Sequence, residues 1–185
     1  MVMLMAPTTV RWTLDELDRL PDDGNKYELV DGELFVTPAP SPPHEELAAV
    51  LHSKLDRYVE AQRLGRVYTP RSVVRTGGSE VEPDLMVRPI PTAATAGWDQ
   101  KPIPSLVVEI ISRATRRRDN EQKRTFYVRI GVAAYWIVDG ETRTIRIITP
   151  NAADAVTGEA LVWHPAGAEA PFALDVAAYF REALG

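Results

Sequence analysis

The sequence predicts an α/β fold in one domain, and two segments carry most of that expectation. Leu106 to Ile111 (Leu-Val-Val-Glu-Ile-Ile) is almost continuously aliphatic, as expected of a strand buried on both faces at the centre of a sheet. The segment after Ser41-Pro42-Pro43 places Leu47, Val50, Leu51, Leu55, Tyr58 and Val59 at helical spacing, and ends before Gly65. A chain of 185 residues with 45% hydrophobic and 25% charged residues has the size and make-up of one folded domain with a real core.

The elements follow in order. Thr13 and Glu16 form a capping-box pattern that opens a short helix through about Leu20, and Pro21, Asp22, Asp23 and Gly24 break it. Tyr27 to Val30 and Glu33 to Val36 are β-prone runs around Asp31-Gly32, a strong hairpin signal. Ser41 and the two prolines start the long helix, since proline is tolerated in a first turn. Val67 to Arg75 reads as a strand turning at Gly77-Gly78, and Asp84 to Val87 as a short strand after Pro83. The proline-containing stretch from Pro89 to Pro104 reads as an irregular surface loop. Beyond the central strand, a helix is expected from Arg116 to Ile130, stopped by Gly131. Ala134 to Val138 and Arg143 to Ile148 form a strand pair turning at Asp139-Gly140. A last helix starts with Asp175 as its cap and runs through Phe180.

Met1 to Ala6 is apolar but short and lacks the basic start of a signal peptide. Residues 1–12 are therefore expected to be a disordered leader, and residues 13–185 the domain. No stretch approaches the roughly 18 apolar residues of a membrane span. The absence of cysteine excludes disulfides, thiolate zinc sites and a cysteine nucleophile, and is compatible with a cytoplasmic location. His44-Glu45-Glu46-Leu47-Ala48 begins like a zinc protease helix, but Ala48 stands at the second histidine position. Neither a Walker loop nor a dinucleotide fingerprint is present.

The net charge of −5 hides a basic segment: between Arg113 and Arg129 seven basic residues face two acidic ones. Such a run is either a solvated helix face or a surface for an anionic partner.

Glu109 is the chemical anomaly, because a carboxylate within a buried strand is costly unless paired, hydrogen-bonded or metal-bound. It is either a charge-paired structural residue or a ligand. Asp84 offers a second carboxylate from a neighbouring strand, though Pro-Asp is equally a turn signal. Two such groups repel at short range unless a cation or proton lies between them. A hard divalent ion, Mg²⁺ or Mn²⁺, suits oxygen ligands and retains water for phosphodiester hydrolysis. A nearby side-chain cation is also required. On the strand it would stand at Ile111, which cannot serve, so Lys123 on the next helix is the candidate. Asp119 lies four residues earlier, which makes a plain salt bridge the other reading of Lys123.

Tyr27-Glu28-Leu29-Val30-Asp31-Gly32-Glu33, Pro83-Asp84-Leu85, Val108-Glu109-Ile110-Ile111-Ser112, the Asp119 to Lys123 segment, and Gly131-Val132 leading to Tyr135-Trp136-Ile137-Val138-Asp139 together resemble the Uma-two family of putative restriction endonucleases. That family lies within the PD-(D/E)XK nuclease superfamily, and the resemblance runs from about residue 13 to residue 148. It implies a restriction-endonuclease-like fold, a mixed central β-sheet flanked by helices. It also implies Asp84 and Glu109 as metal-binding catalytic acids, with Lys123 as a lysine relocated to the following helix. Arg113 after Ser112 departs from the proline common in the family.

On this reading Mg²⁺ (or Mn²⁺) is held by Asp84, Glu109 and the carbonyl of Ile110. Arg116, Arg117 and Arg118 contact the phosphates of a nucleic acid, DNA by the resemblance. Glu28 is either a further site residue or the structural partner of a basic side chain. His44 resembles a family histidine and serves either proton transfer or capping. A homodimer would let one copy address each strand of a duplex. The alternative is a catalytically inactive nuclease-fold module that binds nucleic acid or protein. A hydrolase of smaller phosphoesters is a third possibility, less suited to the basic segment.

Overall fold

The computed structural model describes residues 11–90 and 97–185. The leader expected over residues 1–12 lies outside the described residues except for Arg11 and Trp12. The Trp12 N–H donates to the Gly32 carbonyl at 2.9 Å, which ties this end to the first hairpin.

Helix α1 (Leu14–Leu17) is closed at its start by the Thr13–Glu16 capping box. Strands β1 (Lys26–Val30) and β2 (Glu33–Thr37) pair antiparallel across Asp31-Gly32. Both turn residues have positive φ, +51° and +85°, as a tight primed hairpin turn requires. The long helix α2 is Pro42–Ala61 and buries Leu47, Leu51, Leu55 and Val59.

The expected strand from Val67 to Arg75 is two strands, β3 (Arg66–Tyr68) and β4 (Val74–Thr76), which belong to different sheets. Pro70, which has no N–H to offer a ladder, sits in the break, and the Ser72 N–H turns back onto the Thr69 carbonyl. Strand β5 (Ser79–Val81) follows the Gly77-Gly78 turn, and β6 (Leu85–Arg88) follows Asp84. The described part of the expected loop after Pro89 contains one 3₁₀ turn, Trp98–Gln100.

Strand β7 (Leu106–Ile111) is central to a six-stranded sheet of order β10-β9-β8-β7-β6-β3, with β8 (Ala134–Asp139), β9 (Thr144–Ile148) and β10 (Ala155–Thr157) beyond it. It pairs antiparallel with β6 and parallel with β8, so the sheet is mixed. A parallel neighbour needs a crossover, which is the helical segment from Arg116 to Arg129. That segment is not the uniform helix expected from periodicity. It is α3 (Arg116–Arg118), a π-helical turn (Asp119–Lys123) and α4 (Arg124–Arg129). Gly131, at φ +87°, ends it.

After Thr149 the chain adds β10 (Ala155–Thr157) and the hairpin β11 (Ala160–Trp163) and β12 (Phe172–Asp175), none of which the sequence pattern announced. Helix α5 (Val176–Leu184) is capped by Asp175, whose side chain accepts from the Ala178 N–H. A second sheet of order β2-β1-β5-β4 completes the structure.

The alternation along β7 decides the site. Leu106, Val108 and Ile110 pack in one core with α2 and α5, while Val107 and Ile111 pack in the other with Phe126 and Tyr127 of α4. Glu109, between Val107 and Ile111, shares their face and so points towards the crossover helix. Among the described residues no helix is long and apolar enough to cross a membrane.

Candidate active site

The end of β7 opens onto a cleft of about 860 Å³, lined by Asp84, Glu109, Ile110, His44, Lys26 and Glu82 together with neighbouring loops. Asp84 is tied down from three sides. Its Oδ2 accepts the Ile110 N–H at 2.7 Å and meets His44 Nε2 at 3.1 Å, and its Oδ1 lies 3.3 Å from Lys26 Nζ. The N–H and C=O of one strand residue point the same way, so the Ile110 carbonyl is also directed to the Asp84 side of β7. Burial alone would push the Asp84 carboxyl up. Lys26, His44 and the Ile110 N–H outweigh it and hold the group well below the usual carboxylate range. Burial likewise pushes the His44 imidazolium down, and the hydrogen bond and charge of Asp84 reverse that to a raised pKa.

Behind the cleft lies an enclosed ion network. Lys123 Nζ donates to Glu109 Oε1 and lies equally close to Glu28 Oε1, 2.7 Å from each, with Asp119 Oδ1 at 3.8 Å. The Tyr127 hydroxyl adds a bond to Glu109 Oε1 at 2.8 Å. Glu28 Oε1 also accepts the Glu82 N–H at 2.8 Å, and its Oε2 is 3.3 Å from Arg118. One ammonium between two carboxylates cannot compensate both. Burial raises Glu28 as well, but Lys123, Lys26 and Arg118 together overcome it and keep that group low. At Glu109 burial, reinforced by the nearby charges of Asp84 and Asp119, prevails over Lys123 and Lys26 and pushes the carboxyl up. The π-helical turn adds a residue to the turn that carries Asp119 and Lys123, which are both buried.

The expected site residues thus divide. The structure brings Asp84, Glu109, Ile110 and His44 together at the cleft. Glu28 and Lys123 stand behind them: Lys123 is 0% exposed and does not line the cleft. That differs from the expectation that its ammonium would meet water or phosphate, because the packed crossover helix seals it. The basic run divides as well. Arg118 lines the cleft wall but is turned onto Glu28, Asp119 and the Thr37 hydroxyl, so its charge is committed to internal carboxylates. Arg116 is committed to Asp139 and Glu141. Arg117, with an 88% exposed side chain, is the one of the three that faces solvent, where it pairs with Glu121 at 3.2 Å.

Sequence reasoning missed Lys26, Tyr127 and Arg71. For Lys26 a signal existed: it lies two residues before Glu28 on β1, hence on the same strand face.

Asp139 illustrates how these ion pairs set acid sensitivity. Its Oδ2 accepts from Arg116 at 2.6 Å, and its Oδ1 accepts the N–H groups of Glu141 and Thr142. Burial raises its pKa, but these bonds outweigh it and place it below the ordinary 3.8. A carboxyl depressed on folding contributes stability above its unfolded pKa, and loses it as pH falls through the folded value. Asp139→Asn is therefore expected to cost roughly 1 kcal/mol at pH 7, discounted for the partial exposure of Arg116. Its urea midpoint should also fall less than the wild type's between about pH 5 and pH 2. Equal acid slopes for the two proteins would refute the assignment.

A family model, Uma2, described as "Putative restriction endonuclease", matches residues 14–174. In three dimensions the chain is similar to the crystal structure of a putative nuclease belonging to DUF820 from Anabaena variabilis. The TM-score is 0.79 at 22% sequence identity, covering 94% of this chain and 99% of that one. That likeness establishes the restriction-endonuclease-like fold and does not extend to individual residues. No curated protein matches the chain in sequence.

Proposed function

We propose that this chain, which belongs to the Uma2 family of putative restriction endonucleases, is a metal-dependent nuclease that hydrolyses phosphodiester bonds in DNA. The observation that carries this reading is the convergence of Asp84, Glu109 and the Ile110 backbone on the floor of an open cleft. Two carboxylates and a carbonyl form an all-oxygen donor set, which fits Mg²⁺ or Mn²⁺ with water completing the shell. Such an ion, when bound, supplies Lewis-acid polarisation of a phosphoryl oxygen and an acidified water.

The chain's own residues do the rest. The Ile110 N–H and His44 fix the Asp84 carboxylate, and His44 can carry a proton at Nε2 beside the cleft. Lys123 holds Glu109 and Glu28 in place from behind. Arg71 and Arg113 line the cleft and Arg117 an adjoining groove, with side chains 61%, 88% and 88% exposed in surface ion pairs with Asp22, Glu141 and Glu121. They suit phosphate contacts that carry no sequence information. If each neutralises one phosphate, log K for a DNA duplex falls with log salt at a slope of roughly −2 to −3. A salt-independent affinity would count against this face. A cysteine-free chain fits a reducing cytoplasm, and a two-fold dimer would present one site to each strand.

A catalytically inactive module that keeps the fold would need no metal at this site. The test is incubation with supercoiled plasmid in EDTA, Mg²⁺ or Mn²⁺. Nicking that needs the metal is the expected result. Absence of nicking, together with no metal binding in a titration, would transfer the assignment to the inactive module.

A further inference from the structure

Two lysines reach the carboxylates at the end of β7, one from the cleft and one from the interior. Lys123 is sealed, with its ammonium shared between Glu109 and Glu28. Lys26, the first residue of β1, lines the cleft with its side chain 16% exposed. Among the described residues its Nζ makes one hydrogen bond, at 3.3 Å to Asp84 Oδ1, and an ammonium has three protons to donate. Glu82 and Glu109 line the same cleft and Glu28 lies on the same face of β1, so Lys26 is held among four carboxylates, Glu28, Asp84, Glu109 and Glu82, with its exposed part on the cleft side. A compact charge on a flexible four-carbon stem can turn from Asp84 to an incoming phosphate without rebuilding the strand that carries it.

We infer that Lys26 is the substrate-facing cation of this site, and that Lys123 is a positioning residue that acts through Glu28 and Glu109. The inference rests on the nuclease reading above. In the hydrolysis, a water oxygen bonds to phosphorus and the phosphorus–oxygen bond to the leaving sugar breaks. The water's proton passes to a base and the leaving oxygen gains a proton. Lys26 takes part in none of these transfers. Its charge meets the negative charge that builds on a non-bridging phosphoryl oxygen, where a fixed donor is worth most. Simple neutralisation of Asp84 is the competing role, and it makes opposite demands. A mere counterion could be removed with no loss of phosphate contact, and its removal would leave Asp84 freer for a cation.

The test uses the full chain as wild type, Lys26→Ala, Lys26→Gln and Lys123→Met. Two quantities are read: the plasmid nicking rate at saturating DNA with Mg²⁺, and the salt slope of duplex DNA binding in EDTA. For Lys26→Ala and Lys26→Gln the nicking rate is expected to fall on the order of 10²–10³-fold. The binding slope should fall by about one, the signature of a lost phosphate contact, with a smaller fall in thermal midpoint than Lys123→Met shows. Lys123→Met should lower the midpoint and leave the slope as it was. If Lys26→Ala does not fold, Lys26→Gln, which keeps most of the stem, carries the comparison. Nicking within about threefold of wild type in the Lys26 variants, or an unchanged slope, would overturn the inference and leave the nuclease reading intact. If the wild type nicks nothing, the nuclease reading fails, but the slope still decides Lys26. A loss of one keeps it as the phosphate contact of a binding module, and no loss overturns it.

Discussion

Asp84→Asn is expected to abolish metal-dependent nicking while leaving a folded protein, with a rate loss of about 10²–10³-fold or more. The substitution is isosteric, and the amide oxygen can still accept the Ile110 N–H that now binds Oδ2 at 2.7 Å. What disappears is the negative charge that Lys26 and His44 flank and that a hard cation requires. Activity alone does not separate a lost ligand from a distorted site, so stability supplies a second reading. Mg²⁺ that binds only the folded state raises the unfolding midpoint of the wild type with concentration. The variant should show no such rise. Nicking at the wild-type rate, or an undiminished Mg²⁺ effect on the midpoint, would exclude Asp84 as a ligand. A modest fall in the metal-free midpoint is also expected, because two cations lose their counterion.

Lys123→Met carries the largest expected effect on stability. Methionine preserves most of the length and volume of the side chain and removes only the charge. Breaking a buried ion pair from one side typically costs about 3–5 kcal/mol, because the remaining charge stays desolvated. Here two carboxylates, Glu28 and Glu109, lose their closest partner at once, both in a region with almost no solvent access. The upper part of that range is therefore expected from urea unfolding at neutral pH. The double variant Lys123→Met, Glu109→Gln should recover part of the loss, because only one stranded carboxylate remains. A single-variant cost below about 1 kcal/mol would mean that water reaches this network, and that the enclosure described above is wrong.

Much of the fold was legible in local chemistry. The capping box at Thr13 and Glu16, the Asp31-Gly32 turn and the Asp175 cap depend on neighbours within a few residues, and each forms as its residues dictate. The aliphatic run of β7 marked the sheet centre, and Glu109 stood out within it because a carboxylate there needs a partner. Local signals also misled. Periodicity alone gave one helix from Arg116 to Ile130, where the chain inserts a π-helical turn. The β-prone stretch from Val67 to Arg75 read as one strand, but Pro70 divides it into two that belong to different sheets.

For the site, the sequence by itself determined which residue types were available and which chemistries were excluded. It showed oxygen ligands without thiolates, two acids separated along the chain, and a basic segment following the central strand. Only the tertiary structure decided which charges face outward. Lys26 and Lys123 are the same residue type, and Arg117 and Arg118 are adjacent. Yet Lys26 lines the cleft while Lys123 is enclosed, and Arg117 is 88% exposed while Arg118, at the cleft wall, is turned onto Glu28 and Asp119. A side chain's exposure is set by what packs over it. Here that is the crossover helix and the β1–β2 hairpin, which are separated by some eighty residues of chain and brought together only by closure of the core.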